Sequence, residues 1–250
     1  MEDQYRIARE EAFMEALAPQ HDVEPTLPPS VVASERQDFI GYLLNGDVEA
    51  ACRLLDRVAN SGVGEERLLT EMVAWSARSL GQGWEDDTIA FADVTIALCG
   101  LSRVLRKRDW GVEKAPGPAA NAPSILLTTF AGEQHGFGVT FLEIFFQRAG
   151  WATCSMPCAD SADVKAALAR YRYDVLALSA SVDIAADRLS NQIKVLRHAS
   201  QNPGMRVLVG GPAIQDALPH GADGTADDAQ SAVAEAARLH RTSKDCRTNG

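Results

Sequence analysis

The stretch that decides the fold is "SILLTTFAGEQHGFGVTFLEIFFQRAGW", residues 124–151. It opens with a short apolar run rich in strand-forming residues, which is typical of a buried strand. A loop of small and polar residues follows and places His135 between glycines. The segment "VTFLEIFFQRAG" then has a helical pattern, and the helix is expected to end at Gly150. The stretch therefore predicts a strand, a loop with one imidazole, and a helix.

The alternation of strand and helix continues to the end of the chain. Strands are predicted at "WATCSMP", "DVLALSAS" and "MRVLVGG", with "ADGTA" as a short fifth strand or a loop. The helix after the second strand is expected to be capped by Ser161 or Asp160. Such alternation requires a parallel sheet with right-handed crossovers. We expect an α/β fold with a flavodoxin-like (Rossmann-like) five-stranded sheet in the order 2-1-3-4-5, with ligands beyond the first and third strands.

The chain before residue 111 has a helical pattern instead. Apolar residues recur at spacings of three and four between Phe39 and Leu105, and "NGD" and "NSGVGEE" mark turns. This predicts a bundle of four or five helices. Two breaks rich in proline divide the chain. The predicted segments are an N-terminal helix and linker (1–30), the bundle (31–110), a linker (111–123), the α/β domain (124–242) and a tail (243–250).

Charge and composition exclude several classes of protein. The net charge of −10 and the pI near 5.0 oppose binding to nucleic acid. The charged start "MEDQYRIAREEAF" and the short apolar runs indicate neither a signal peptide nor a membrane span. The five cysteines are scattered along the chain. We therefore expect reduced thiols and no zinc site. We expect a cytoplasmic protein.

The loop after the first predicted strand resembles the cobalamin-binding signature Asp-x-His-x-x-Gly, with Glu in the place of Asp. In proteins with that signature, a serine-containing segment ends the third strand and a Gly-Gly pair ends the fourth. This chain has Ser179, Ser181, Gly210 and Gly211 at those places. The residues of the signature loop are Glu133, Gln134, His135, Gly136, Phe137 and Gly138.

The resemblance implies a role for each of these residues. His135 would replace the cofactor's own base as the lower ligand of cobalt, since a neutral imidazole suits a borderline transition metal. Glu133 would fix the ring through its other nitrogen. The serines and the glycines would line a channel for the displaced nucleotide tail. The alternatives are that His135 caps a helix and that Gly210 and Gly211 form a plain strand-ending turn.

The bundle adds a second resemblance. "GQGW", ending at Trp84, is similar to the Gly-x-x-Trp pattern of the helical domain that covers the upper face of the corrin in cobalamin-dependent methyltransferases and light-sensing regulators. Trp84 would be an apolar lid; the alternative is an interhelical core tryptophan. Where enzyme carriers and adenosylcobalamin photoreceptors usually have a Glu-His pair, this chain has Asp93-Val94-Thr95, which argues against carriage of a methyl group. Asp93 and Thr95 would contact an upper aquo or hydroxo ligand, although a solvated or capping role for Asp93 is equally open.

These bundle residues most resemble the AerR/PpaA antirepressors of photosynthetic bacteria and the haem-or-cobalamin sensor domain of the AppA regulators. That resemblance implies a photoreceptor or redox sensor rather than an enzyme. It would bind hydroxo- or adenosylcobalamin and regulate photosynthesis genes by docking on a transcription repressor of the CrtJ/PpsR kind, without direct DNA contact. The residues that carry it are Trp84, Asp87, Phe91, Asp93, Val94 and Thr95.

Two alternatives remain open from the sequence. One is a corrinoid carrier protein of a methyltransferase system; the other is a haem sensor with His135 as axial ligand. The N-terminal helix, residues 2–18, is a candidate segment for binding a partner or simply a frayed terminal helix. The remaining histidines have no supporting context and are expected at the surface: His21, His198, His220 and His240.

Overall fold

A computed structural model describes residues 30–112, 121–133, 136–180, 186–211, 214 and 218–248. The N-terminal helix predicted at residues 2–18 lies outside these ranges, as do most of the predicted linker and the predicted site residues Gln134, His135 and Ser181.

The N-terminal part is a helical bundle, as the spacing of apolar residues predicts. Asp47 starts the second helix by accepting a hydrogen bond from the backbone N–H of Ala50 at 2.9 Å. Gly46, with a φ of +70°, turns the chain just before it. The helices are α1 (Ala33–Leu44), α2 (Val48–Asn60), α3 (Glu65–Arg67), α4 (Trp75–Glu85) and α5 (Phe91–Lys107).

A π-helical segment, Leu68–Ala74, joins α3 to α4. The backbone at both of its ends is in the right-handed helical region, so α3, the π segment and α4 form one long rod. Leu68, Leu69, Met72 and Val73 are buried. The wider π turn rotates the face of α4 relative to α3. The sequence pattern predicts helix here and does not distinguish the two helix types.

The C-terminal part is a five-stranded parallel sheet in the order β2-β1-β3-β4-β5, which confirms the predicted order. Asp160 caps the helix after β2, through hydrogen bonds from the backbone N–H groups of Ala162 (2.7 Å) and Asp163 (2.9 Å). The strands are β1 (Ser124–Thr129), β2 (Ala152–Met156), β3 (Val175–Ser179), β4 (Arg206–Gly210) and β5 (Gly224–Ala226). The helices are α6 (Phe137–Arg148), α7 (Ser161–Arg170), α8 (Ala186–Ala199) and α9 (Ala229–Thr248).

Helices cover both faces of the sheet. Ile125 and Leu127 of β1 share a buried cluster with residues of α6 and α9. Leu126, between them, belongs to another cluster with residues of α7 and α8. Because successive side chains of a strand point to opposite faces, α6 and α9 lie on one face and α7 and α8 on the other.

The bundle and the sheet share hydrophobic core. Phe141, Ile144 and Phe145 of α6 and Ala229 of α9 belong to the same buried cluster as the core of the bundle. Trp110, after α5, is 2% exposed and donates its indole N–H to the carbonyl of Leu105 at 2.9 Å. Helix α6 is therefore packed between the sheet and the bundle.

The last helix continues past Thr242 to Thr248. His240, on this helix, was expected at the surface, and that expectation is wrong. Its side chain is 12% exposed, with Nδ1 3.8 Å from Oδ2 of Asp174 and the ring centroid 5.9 Å from that of Trp151. Within the described residues, none of the helices has the length and hydropathy needed to cross a membrane.

Candidate functional site

The segments after β1, β3 and β4 meet at one edge of the sheet. The backbone N–H of Phe130, just after β1, donates to the carbonyl of Ser179 at 2.8 Å. The N–H of Ala180, just after β3, donates to the carbonyl of Gly210 at 2.8 Å. The strand order reverses between β1 and β3, which is where parallel α/β sheets bind their ligands. The three motif segments identified in the sequence therefore converge at the expected place.

The loop after β1 begins with a tight turn. The N–H of Glu133 donates to the carbonyl of Phe130 at 3.0 Å, and Gly132 takes a φ of +89° that favours glycine. The N–H of Ala131 donates to Oε1 of Gln192 on α8 at 3.1 Å. Glu133 is half-buried. This turn is thus held both by its own backbone hydrogen bond and by Gln192.

The second half of the signature starts helix α6. A Cβ on Gly138 would lie 3.9 Å from Oγ of Ser179, so the serine hydroxyl faces the first turn of α6. A Cβ on Gly136 would lie only 2.9 Å from Sγ of Cys158. Gly136 is thus required by close packing against the loop after β2. The structure therefore brings Gly138 and Ser179 close together.

The Gly-Gly pair at the end of β4 is required by the protein's own packing. Gly211 has a φ of +109°, and a Cβ there would lie 2.2 Å from the carbonyl oxygen of Ala180. A Cβ on Gly210 would lie 2.8 Å from the carbonyl oxygen of Ala226. Larger residues would therefore push apart the ends of β3, β4 and β5. Their contact with a ligand remains a prediction.

Two threonines at the end of β1 support the same edge. Thr128 and Thr129 are fully buried. The hydroxyl of Thr128 donates to the carbonyl of Met156 at 2.9 Å, and that of Thr129 accepts from the N–H of Cys158 at 3.1 Å. They fix the loop after β2 against the loop after β1. Sequence reasoning missed this role, although two threonines closing an apolar strand were a usable signal.

On the bundle, Trp84 and Phe91 form an exposed aromatic pair. Their ring centroids are 6.3 Å apart, and the residues are 50% and 70% exposed. This exposure excludes the interhelical core position considered for Trp84. Large apolar side chains exposed together commonly mark a contact surface.

The turn between α4 and α5 holds this pair together. The carbonyl of Gly83 accepts hydrogen bonds from the N–H groups of Thr88 (2.8 Å) and Ile89 (2.9 Å). A Cβ on Gly83 would lie 2.5 Å from Cδ1 of Ile89, so a larger residue directly before Trp84 would displace the isoleucine side chain. Asp87 takes a φ of +54° at the bend. Gly83, which is not the glycine of the Gly-x-x-Trp pattern, thus helps to place the tryptophan beside the start of α5.

Asp93 and Thr95 are exposed near the start of α5, while Val94 between them is buried. The hydroxyl of Thr95 donates to the carbonyl of Phe91 at 2.8 Å. Asp93 lies in the first helical turn, where a negative charge is favourable. Their contact with an upper ligand remains a prediction.

Phe137 connects the two halves of the site. It directly follows Gly136, is half-buried, and packs against the core of the bundle. Its ring stacks on that of Phe141, with centroids 6.0 Å apart. The helix that starts in the signature is therefore in contact with the bundle from its first turn.

Comparisons with known proteins agree with the resemblance inferred from the sequence. No protein-family model matches the chain. An uncharacterized 20.5 kDa protein in the bchF-crtJ intergenic region of Rhodobacter capsulatus is 26% identical over 186 residues, covering 73% of this chain and 96% of that protein. The monomethylamine corrinoid protein of Methanosarcina barkeri has a TM-score of 0.65 at 15% identity, covering 82% of this chain and 98% of that one. The chain is thus homologous to the Rhodobacter protein and has the fold of the corrinoid protein.

Proposed function

We propose that this protein binds cobalamin at the β1–β3 edge and acts as a light- or redox-responsive antirepressor of photosynthesis genes. The observation that carries the cobalamin proposal is the convergence of the segments after β1, β3 and β4, in a chain with the fold of a corrinoid protein. It is a regulator in this proposal, not an enzyme.

The described residues fit such a cofactor in several respects. Glycine at positions 132 and 138 leaves the backbone of the loop open to close approach, and the hydroxyl of Ser179 faces α6 as a donor for a polar tail. A buried amide nitrogen of Gln192, beside the same loop, has no hydrogen-bond partner among the described residues. Trp84 and Phe91 offer the apolar surface that a corrin face requires.

The proposal gives a role to each of the predicted site residues. His135 is the lower ligand, and Glu133 orients its ring. Trp84 excludes water from the upper face, beside Asp93 and Thr95. When bound, cobalamin would supply a cobalt whose upper bond responds to light or to redox state. A change at that bond would cause the residues of the bundle to repack. The repacking would shift the balance between two conformations of the surface that binds the partner.

The homologue supports the regulatory half of the proposal. Its gene region is named for bchF and crtJ, and the partner inferred from the sequence is a repressor of the CrtJ/PpsR kind. The acidic net charge of −10 suits a partner that is itself basic, as DNA-binding proteins are.

The cofactor proposal is tested by reconstitution. The purified chain is loaded with hydroxocobalamin or adenosylcobalamin, and absorbance is recorded in darkness and after illumination. The same protein, labelled with ¹⁵N-histidine and loaded with cob(II)alamin, is examined by electron paramagnetic resonance. A histidine ligand gives the doublet splitting of ¹⁵N, whereas the cofactor's own base gives the triplet of ¹⁴N. No binding, or only triplets, would reject the proposed site.

The partner proposal is tested by measuring the DNA affinity of a purified CrtJ/PpsR-type repressor. We expect the loaded protein to weaken that affinity in one light state and not in the other. The His135→Ala variant should have no such effect. Equal repressor–DNA affinity with and without the loaded protein, in both light states, would reject the antirepressor role.

A corrinoid carrier is the second candidate function, because the fold is that of the monomethylamine corrinoid protein. It is tested by adding methyltransferase catalytic subunits and a thiol acceptor to the protein loaded with methylcobalamin. Methylation of the thiol would favour the carrier. The absorbance spectrum of the purified protein distinguishes the haem alternative, because haem gives a Soret band that cobalamin lacks.

A further inference from the structure

Gln192 on α8 is bound to the loop that leads to His135. Its side-chain oxygen Oε1 accepts the hydrogen bond from the N–H of Ala131 at 3.1 Å, across 61 residues of sequence. Ala131 lies within the turn closed by Phe130 and Glu133. Helix α8 therefore holds the first half of the loop through the side chain of Gln192.

The nitrogen of the same amide is not hydrogen-bonded to any of the described residues. Nε2 of Gln192 is buried and makes no hydrogen bond within the part of the chain that the structure describes. The amide cannot simply rotate, because Nε2 would then point its hydrogens at the N–H of Ala131. Buried donors without an acceptor are rare in native proteins, and each one calls for an explanation.

Helix α8, which carries Gln192, is packed firmly against the sheet. Leu189, Ile193 and Leu196 hold α8 in the hydrophobic core under the sheet. One turn before Gln192, the guanidinium carbon of Arg188 lies 5.5 Å from the ring centroid of Phe130. The same face of α8 thus contacts the start of the loop twice. A side chain held this firmly can set the position of a loop and of the ligand it carries.

We infer that Gln192 is a positioning residue for the His135 loop, and that its Nε2 donates a hydrogen bond formed only when the corrinoid is bound. This inference rests on the proposed function. The rim of a corrin carries many amide carbonyl groups, which are suitable acceptors for an amide N–H. In the loaded protein, Oε1 holds the loop and Nε2 gains an acceptor.

Two variants separate the two halves of the amide. Gln192→Met removes both the acceptor and the donor at similar volume. Gln192→Glu keeps an oxygen for the N–H of Ala131 and removes the donor. Gln147→Met is the matched control, since Gln147 is a half-buried glutamine at the other end of α6, hydrogen-bonded to Thr153 at 3.1 Å.

Three quantities are measured for each variant: the Kd for hydroxocobalamin, the histidine-ligated fraction of cob(II)alamin in ¹⁵N-histidine-labelled protein, and the Tm of the cofactor-free chain. For Gln192→Met we expect a Kd raised about tenfold, the effect of one hydrogen bond. Its histidine-ligated fraction should fall. Its Tm should hardly change, because the loss of one acceptor is offset by removal of the unpaired donor. Gln192→Glu should recover the histidine-ligated fraction but not the affinity.

A wild-type Kd and wild-type histidine ligation in Gln192→Met would overturn the inference while leaving the proposed function intact. A raised Kd with a lower Tm and unchanged histidine ligation would also overturn it, because Gln192 would then be only structural. If the wild-type chain binds no corrinoid, the proposed function and this inference fail together.

Discussion

The rings of Trp84 and Phe91 lie 6.3 Å apart on either side of the turn between α4 and α5, and both are exposed. Packing of Ile89 against Gly83 holds the turn that brings them together. An aromatic pair maintained by the fold but left in solvent costs hydrophobic free energy that contact with a flat apolar ligand would recover. This relationship is the basis of the first prediction.

Trp84→Ala should leave the fold almost unchanged, since a half-exposed side chain contributes little and surface changes are usually within about 0.5 kcal/mol. In the loaded protein it should open the upper face, so that cyanide replaces the upper ligand faster and the response to light changes. The measurements are the Tm and the rate of cyanide uptake. Tyr171→Ala, which removes a 53% exposed aromatic elsewhere, is the control and should change neither. Complete loss of binding in Trp84→Ala would show that Trp84 is structural.

His135→Ala should abolish cobalamin retention, or reduce it greatly, because the metal loses its lower ligand from the protein. The circular dichroism spectrum and the Tm of the cofactor-free chain should stay as in the wild type. Retention is measured by gel filtration of the loaded protein followed by absorbance. His220→Ala, at an exposed histidine, is the matched control. Retention with an unchanged spectrum in His135→Ala would refute the assignment of the ligand.

Gly211→Ala should destabilise the cofactor-free protein by about 2–4 kcal/mol. Its Cβ would lie 2.2 Å from the carbonyl oxygen of Ala180, at a φ of +109°. Chemical unfolding in urea measures the effect. Gly81→Ala is the control, because a Cβ on Gly81 meets nothing within 4 Å and α4 should gain about 0.5–1 kcal/mol. Equal stability of the two variants would show that the strand ends adjust without cost.

Glu143 gives a prediction about pH. Burial raises the pKa of this carboxyl above its ordinary 4.5, although hydrogen bonds from Ser155 and Thr153 act in the opposite direction. The folded state therefore holds the proton more tightly than the unfolded state, and this group lowers the free energy of unfolding as pH rises from 4.5 through the folded pKa. The Glu143→Gln variant has no carboxyl to titrate at this position, so its free energy of unfolding does not fall for this reason. Its stability relative to the wild type should therefore increase with pH across that window. Urea unfolding between about pH 4 and 8 measures it.

Glu235→Gln is the control of opposite sign for that experiment. A hydrogen bond from Arg238 lowers the pKa of Glu235 in the folded protein. This carboxylate therefore stabilises the folded state above its ordinary pKa, and its replacement should reduce relative stability as pH rises. A flat difference for Glu143→Gln would show that its carboxyl is well solvated.

Local patterns were sufficient to predict the sheet and the meeting of the motifs. Strand–helix alternation has few compatible topologies, so the order and the convergence of Gly138 with Ser179 followed from it. The cap at Asp160 and the turn at Gly46 depend on near neighbours in sequence and were also foreseeable.

Features that depend on distant contacts could not be predicted. A glutamine in the middle of a polar helix gives no sign that it will bind Ala131 across 61 residues. His240 has no local motif, and its packing against Trp151 depends on how α9 lies on the sheet. The π segment from Leu68 to Ala74 has the same apolar spacing as an ordinary helix, so periodicity alone cannot identify it.

Helix α6 begins at Phe137, inside the signature, and its side chains Phe141, Ile144 and Phe145 lie among those of the bundle. Its 12 residues make a stiff rod about 18 Å long. A small tilt at one end of this rod would displace its other end, where Phe141, Ile144 and Phe145 pack against the core of the bundle. If cobalamin occupies the end of the sheet as proposed, a tilt of α6 would carry the effect of its binding to the helices of the bundle.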